Sequence, residues 1–176
     1  VVDRAIPAEE GVIPVTLITI CSDIHDNIWK LADALPGMNG GEILLFCGDF
    51  CAPFTLAQLA GGFRGPVHVV WGNNDGDARL LSQVAAAAGN VTLHGELAEL
   101  DLDGFRVAVN HYPPIAEGLA ASGRYHLVCY GHDHTLHHRQ VGGTWLINPG
   151  EVMGRFGRST YVIFDTLAET VTVRET

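Results

Sequence analysis

Seven residues of metal-binding type follow apolar runs in this chain: Asp23, His25, Asp49, Asn73, His111, His132 and His134. Each comes one to three residues after its run ends. Asp23 and His25 close Leu17-Ile18-Thr19-Ile20-Cys21-Ser22. A buried strand that ends in Asp-x-His sets two donors on one side of the chain as it leaves the sheet. Carboxylate oxygen and imidazole nitrogen together suit Mn, Fe, Zn, Ni or Co. Taken singly, each residue has a local explanation. Asp23 can cap a helix, Asp49 and Asn73 can make turns, and His111 can be a core histidine. His132 and His134 can be surface residues like His137 and His138. Local structure does not explain why all seven fall at strand ends.

The elements that must position them can be read from periodicity. Residues 15–21 read as a buried strand, followed by helical spacing of Ile28, Leu31, Ala32 and Leu35 that Pro36-Gly37 stops. A second strand spans Glu42 to Cys47 and turns at Gly48, which leaves Asp49 at its tip. A short helix covers about Phe54 to Ala60. A third strand, Val67 to Trp71, leads into Gly72-Asn73-Asn74-Asp75, and Ala78 to Ala88 makes a helix closed by Gly89-Asn90. Strand, polar loop and helix thus recur three times. That is the pattern of βαβ units with function at the carboxyl ends of parallel strands.

From Glu96 the pattern becomes β-rich. Asp103-Gly104 between alternating runs is a hairpin signal, and the hairpin ends in Asn110-His111. A helix follows from Pro113 to Ala121, then a strand from Leu127 to Tyr130 ending in Gly131-His132-Asp133-His134. Further strands fall at about 136–141, 144–148, 160–165 and 170–174, with Asn148-Pro149-Gly150 between two of them. The expected fold is α/β: a four-layer α-β-β-α sandwich of two mixed sheets, helices outside, with both sets of polar loops meeting at one end.

Composition sets bounds. The 176 residues suit one domain, taken as 15–176 behind a loose arm at 1–14. The chain is 47% hydrophobic and 17% charged, enough for a large core. Its net charge is -10, without a cluster of more than two Lys or Arg, which disfavours duplex nucleic acid and anionic membrane. Cys21, Cys47, Cys51 and Cys129 have neither zinc-knuckle nor disulfide-framework spacing, so reduced thiols and a cytoplasmic setting are expected. No signal peptide or bilayer-spanning run is read from the sequence. A homo-oligomer is compatible with all of this.

The motifs Asp23-Ile24-His25, Gly48-Asp49, Gly72-Asn73-Asn74-Asp75, Asn110-His111, Gly131-His132-Asp133-His134 and Asn148-Pro149-Gly150 stand in one order along about residues 15–165. As a set they resemble the calcineurin-like metallophosphoesterases, in particular the small single-domain phosphodiesterases of bacteria and archaea. The resemblance implies two divalent metal ions, Mn foremost, with Ni, Fe, Co or Zn as alternatives. Asp23, His25 and His134 would hold the first, Asn73, His111 and His132 the second, and Asp49 would bridge both beside a water or hydroxide. It implies a small phosphate-ester substrate, attacked at phosphorus by the bridging hydroxide, with Asp49, Asn74 and His111 as the catalytic residues.

The chain departs from the family pattern in places. Asn74 stands where larger members carry a histidine thought to protonate the leaving group. Tyr112-Pro113 replaces the usual Gly-His after the metal histidine, and Tyr112 would line the substrate groove or pack. Asp133 adds a carboxylate beside the site, and Asp75 would orient a ligand or cap a turn. Glu151 replaces the usual serine after Asn-Pro-Gly, and Arg155 and Arg158 follow it as phosphate contacts or solvated cations. The other reading is an inactive scaffold of the same fold, like the small retromer subunit. Intact donors at all seven positions favour the enzyme.

Overall fold

The computed structural model describes residues 17–176. The expected arm at 1–14 and the first two residues of the expected strand at 15–21 lie outside the described residues. The element order is β1 (Leu17–Cys21), α1 (Ile28–Met38), β2 (Ile43–Phe46), α2 (Pro53–Gly62), β3 (Val67–Val69), α3 (Ala78–Ala88), β4 (Val91–Leu93), β5 (Leu97–Leu102), β6 (Phe105–Asn110), α4 (Pro113–Ala121), β7 (Leu127–Cys129), β8 (His137–Val141), β9 (Thr144–Asn148), β10 (Thr160–Asp165) and β11 (Thr170–Glu175).

Two mixed sheets result. One has the order β11-β10-β1-β2-β3-β4, and the other β5-β6-β7-β9-β8. Strands β1 to β4 run parallel, as do β6, β7 and β9, while β10, β11, β5 and β8 pair antiparallel. Strand periodicity explains the layers. Along β2, Leu44 and Phe46 join a core cluster with Leu31, Leu35 and Met38 of α1, Leu56 and Leu59 of α2 and Leu81 of α3. Their neighbours Leu45 and Cys47 point the other way, into a cluster with Val107, Val109, Leu127, Ile147 and Phe164 that fills the space between the sheets. Ala108, Val128 and Leu146 on the far face of the second sheet pack on Ala116 and Ala120 of α4. The order helix, sheet, sheet, helix is the expected sandwich, with three helices on one side and one on the other.

Two details differ from the sequence reading. Helix α1 does not stop at Leu35; it runs through Pro36 to Met38. Pro36 has no N–H to give, so the helix forgoes one bond, to Ala32 O, near its end. Asn39 covers the end by donating from its backbone N–H and its side-chain amide to Leu35 O, and Met38 is fully buried. The short β4 has no counterpart in the sequence reading. It follows Gly89-Asn90 and adds a parallel edge strand beside β3.

Candidate metal centre

All parallel strands of both sheets point their carboxyl ends to one end of the sandwich. Asp23 and His25 follow β1, Asp49 follows β2, Asn73 follows β3, His111 follows β6, and His132 and His134 follow β7. The backbone at five of these positions is left-handed: φ is 54° at Asp23, 43° at His25, 63° at Asp49, 76° at His132 and 59° at His134. Such angles are uncommon outside glycine and cluster where a fold aims side chains at a site. Glycine solves the close approaches. Gly48 has φ of 98°, and a Cβ there would come within 2.7 Å of His111 Nδ1. A Cβ on Gly72 would run into the Asp49 carboxylate.

The structure brings all seven predicted residues together. Asp23 Oδ1 lies 3.6 Å from His25 Nε2 and 3.4 Å from His134 Nε2. Asp49 Oδ2 lies 3.5 Å from His25 Nε2 on one side and 3.5 Å from His111 Nε2 on the other. Asn73 Oδ1 is 3.2 Å from His111 Nε2 and 2.9 Å from His132 Nδ1. Ligand-type atoms of Asp23, His25 and His134, and again of Asp23, Asp49 and His111, fall within 4.8 Å of one another. Asp49 Oδ2 therefore sits between two groups of donors.

Three histidines are held from behind. His111 Nδ1 lies 2.6 Å from Cys47 O, His134 Nδ1 2.8 Å from Glu151 Oε2, and His25 Nδ1 3.6 Å from Cys51 Sγ. A carbonyl oxygen can only accept, so Nδ1 of His111 donates, and the carboxylate of Glu151 draws the proton of His134 in the same way. When neutral, both rings then present the Nε2 lone pair to oxygen atoms that are themselves acceptors. Lone pairs facing lone pairs need a cation among them, a proton or a metal.

The electrostatics agree. The Asp23 carboxylate, with Cys51 adding to it, pushes His25 up to about 10 against the pull of burial. Burial pulls His111 down, and its bonds to Asp49 and Cys47 O outweigh that and leave it raised. Burial would raise Asp49, but His111 and Asn74 hold its carboxyl well below the usual carboxylate range. Asp23 Oδ1 and His25 Nε2 are buried without a hydrogen-bond partner. A buried unpaired carboxylate oxygen is costly, and a bound ion removes the cost. Hard carboxylate and amide oxygens mixed with imidazoles fit a divalent transition metal.

The surrounding residues are placed as follows. Asn74 bonds Asp49 twice, from its backbone N–H to Oδ1 (2.8 Å) and from Nδ2 to Oδ2 (2.7 Å). Asp75 caps turns: it accepts from the backbone N–H groups of Asp49, Cys51 and Gly72. Tyr112 packs, its ring edge-on to both His111 and His132. Asp133 turns away from the donors; its Oδ1 accepts from Asn148 Nδ2 at 2.6 Å and from Thr135 N–H at 3.0 Å. Arg155 lies over the Phe156 ring, and Arg158 pairs with Glu175 at the surface. Sequence reasoning noted Glu151 as a departure and gave it no task. It also gave no task to Asp26, an acid beside the first motif, whose Oδ1 accepts from Ala52 N–H and Thr55 Oγ1 and so ties the first loop to the second. The signal was present in each case, an acid beside a motif, but its partners come from other loops.

Residues 17–169 match the calcineurin-like phosphoesterase superfamily domain. The chain is 29% identical over 154 residues to phosphodiesterase MJ0936 of Methanocaldococcus jannaschii, covering 85% of this chain and 92% of that one. Its fold is similar to a solved structure described as a novel archaeal phosphodiesterase, with a TM-score of 0.84 and 26% identity over 91% of this chain and 99% of that one. Vps29 of Entamoeba histolytica, crystallised with zinc, is similar in fold, with a TM-score of 0.61 and 17% identity over 91% and 98% of the two chains. With the match spanning nearly all described residues and both sheets, the chain belongs to the calcineurin-like phosphoesterase superfamily.

Proposed function

We propose that this protein is a phosphodiesterase that works with two divalent cations on a small phosphate ester. The observation that carries the reading is Asp49 Oδ2, placed 3.5 Å from His25 Nε2 and 3.5 Å from His111 Nε2 between two sets of donors. Asp23, His25 and His134 would hold one cation, Asn73, His111 and His132 the other, and Asp49 would be shared. When bound, such a pair lowers the pKa of water from 15.7 to about 7, so that hydroxide can attack phosphorus, and neutralises phosphate oxygens.

The chain's own residues set the terms. Neutral Asn73 limits the anionic ligands to Asp23 and Asp49, so the loaded site attracts a phosphate in an otherwise acidic protein. Asn74 directs both its N–H groups at Asp49 and keeps that carboxylate ionised and fixed. It offers no proton to a leaving group, which favours esters with good leaving groups. Manganese is the first candidate metal, with Ni, Fe, Co and Zn next. The described residues include no helix long and apolar enough to cross a membrane. The free Cys21, Cys47, Cys51 and Cys129 suit the cytoplasm, which we include in the proposal.

The Vps29 likeness, at 17% identity, extends to the fold alone. The test is hydrolysis of a chromogenic diester and its monoester by stripped protein reloaded with each metal. Turnover of the diester above the monoester, dependent on metal, is expected. Inactivity with every metal would overturn the proposal in favour of a scaffold.

A further inference from the structure

Glu151 is buried, 1% exposed, and each of its carboxylate oxygens has a different task. Oε2 lies 2.8 Å from His134 Nδ1. Oε1 accepts from Phe156 N–H at 2.6 Å and from Gly157 N–H at 2.9 Å. These last two residues lie in the connection between β9 and β10, which is closed at its base. Glu151 bridges Ser159, Thr160 N–H donates to Glu151 O, and Ser159 Oγ donates to Val152 O. The same base is bonded to the first loop, through Val152 N–H to Ser22 O and Met153 N–H to Asp23 O. The carboxylate thus sits inside a closed loop and grips its tip.

That tip faces the site. The Phe156 ring, 70% exposed, stands edge-on to His134 with centroids 5.2 Å apart. His134, Thr135, Leu136, Phe156 and Arg158 line a cleft of about 230 Å³. One wall of the cleft is therefore a donor of the metal centre and the other is the loop tip, and Glu151 is bonded to both.

We propose that Glu151 is a positioning residue that locks His134 and the Phe156–Gly157 tip into one unit. Through Oε2 it fixes the proton on His134 Nδ1, which leaves Nε2 free to bind metal beside Asp23. Through Oε1 it holds the far wall of the cleft at a set distance from that histidine. The first half rests on the reading of His134 as a ligand. A carboxylate behind a metal histidine typically contributes about 10-fold to 100-fold in metal affinity. A serine at this position would be too short to reach either partner.

The test begins with metal-free protein. Nitrogen NMR of the His134 ring should show Nδ1 carrying a proton in the unaltered chain, whether Nε2 is bare or also protonated toward Asp23. Trypsin should cut slowly after Arg155 and Arg158. Glu151→Gln can satisfy one side only, because its amide has a single acceptor. It should either lose the Nδ1–H tautomer or expose the loop to trypsin, and should bind Mn2+ about 10-fold to 100-fold more weakly by calorimetry. Glu151→Ala should do both, with cleavage at least about 10-fold faster. The proposal is overturned if Nδ1 of His134 carries no proton in the unaltered chain, or if Glu151→Gln keeps the Nδ1 proton and trypsin resistance together. The first of these needs no variant, so a Glu151→Ala that fails to fold leaves the test intact. Loss of the phosphodiesterase reading alone would show as inactivity with every metal while the metal-free results stand.

Discussion

Asn74 grips Asp49 through both carboxylate oxygens, at 2.8 Å from its backbone N–H and 2.7 Å from its side-chain amide. The backbone bond survives truncation of the side chain, so Asn74→Ala removes one hydrogen bond to a charged group. Such a bond contributes about 1.5–3 kcal/mol, and kcat/KM should fall about 10-fold to 100-fold. Asp49→Asn should do more harm, since it removes the shared charge and turns an amide toward the Asn74 amide. Parallel kinetics on the two variants check the order. Equal losses would show that the Asn74 side chain contacts substrate or metal itself.

Asp75 joins two loops without touching a histidine. Its three backbone donors belong to the Gly48–Cys51 segment and to Gly72. Burial raises its pKa and the three N–H groups pull the other way. Asp75→Ala strands these donors in a part-buried setting, and a loss of about 2–4 kcal/mol is expected in denaturant unfolding. The variant that folds should also bind metal less tightly, because Asp49 N–H is one of the donors set free.

Much of the fold was legible because the chain punctuates itself. Helix α3 and strands β9 and β10 stand where periodicity and turn residues put them, and Asp103-Gly104 makes its hairpin. The seven donors were legible because each follows a strand, and parallel strands carry their ends to one edge. Contacts between loops were not legible. Glu151 meets His134 only because β7 and β9 are neighbours, which places residues 17 apart in sequence side by side. The same holds for Asp133, which is adjacent to the donors in sequence yet turned to Asn148 by a loop that folds back on it. The run through Pro36 was hidden because burial of Met38 and the bond from Asn39 Nδ2 to Gly62 O, both tertiary effects, outweigh a local penalty.

Metal should act on stability as well as on chemistry. Asp23 Oδ1 is buried without a hydrogen-bond partner, so binding at that oxygen removes a cost borne by the folded chain. Free Mn2+ at about 100 times its Kd stabilises by about 2.7 kcal/mol. For a domain of this size that corresponds to a rise in Tm of about 5–10 °C. Thermal scans of stripped protein, with Mn2+ and then with chelator, would show the rise and its reversal. The gain should shrink in Asp23→Ala, which loses a ligand of the first cation, and what remains should come from the donors Asn73, His111, His132 and Asp49.

His68 and His94 form a second histidine pair, remote in role from the donors, with Nδ1 and Nε2 2.9 Å apart between β3 and the end of β4. Burial lowers both pKa values, and the charge of His94 lowers His68 further. Both therefore sit below the ordinary value of 6.5 in the folded chain. Below that value the unfolded chain takes up protons before the folded one does, so their contribution to stability is complete above it and is lost as pH falls through the folded values. As pH falls from about 7.5 to about 5.5 this pair should pull the unfolding midpoint down. That pull should be missing from a His68→Asn, His94→Gln double variant, whose midpoint should fall less or rise more than that of the unaltered chain, whatever its absolute stability, because the difference in slope reports proton uptake by this pair. His25 and His111, both raised in the folded state, act on stability in the opposite sense and are common to both proteins, so they cancel in the comparison. An equal slope in the two would mean that the pair takes up its protons as readily folded as unfolded.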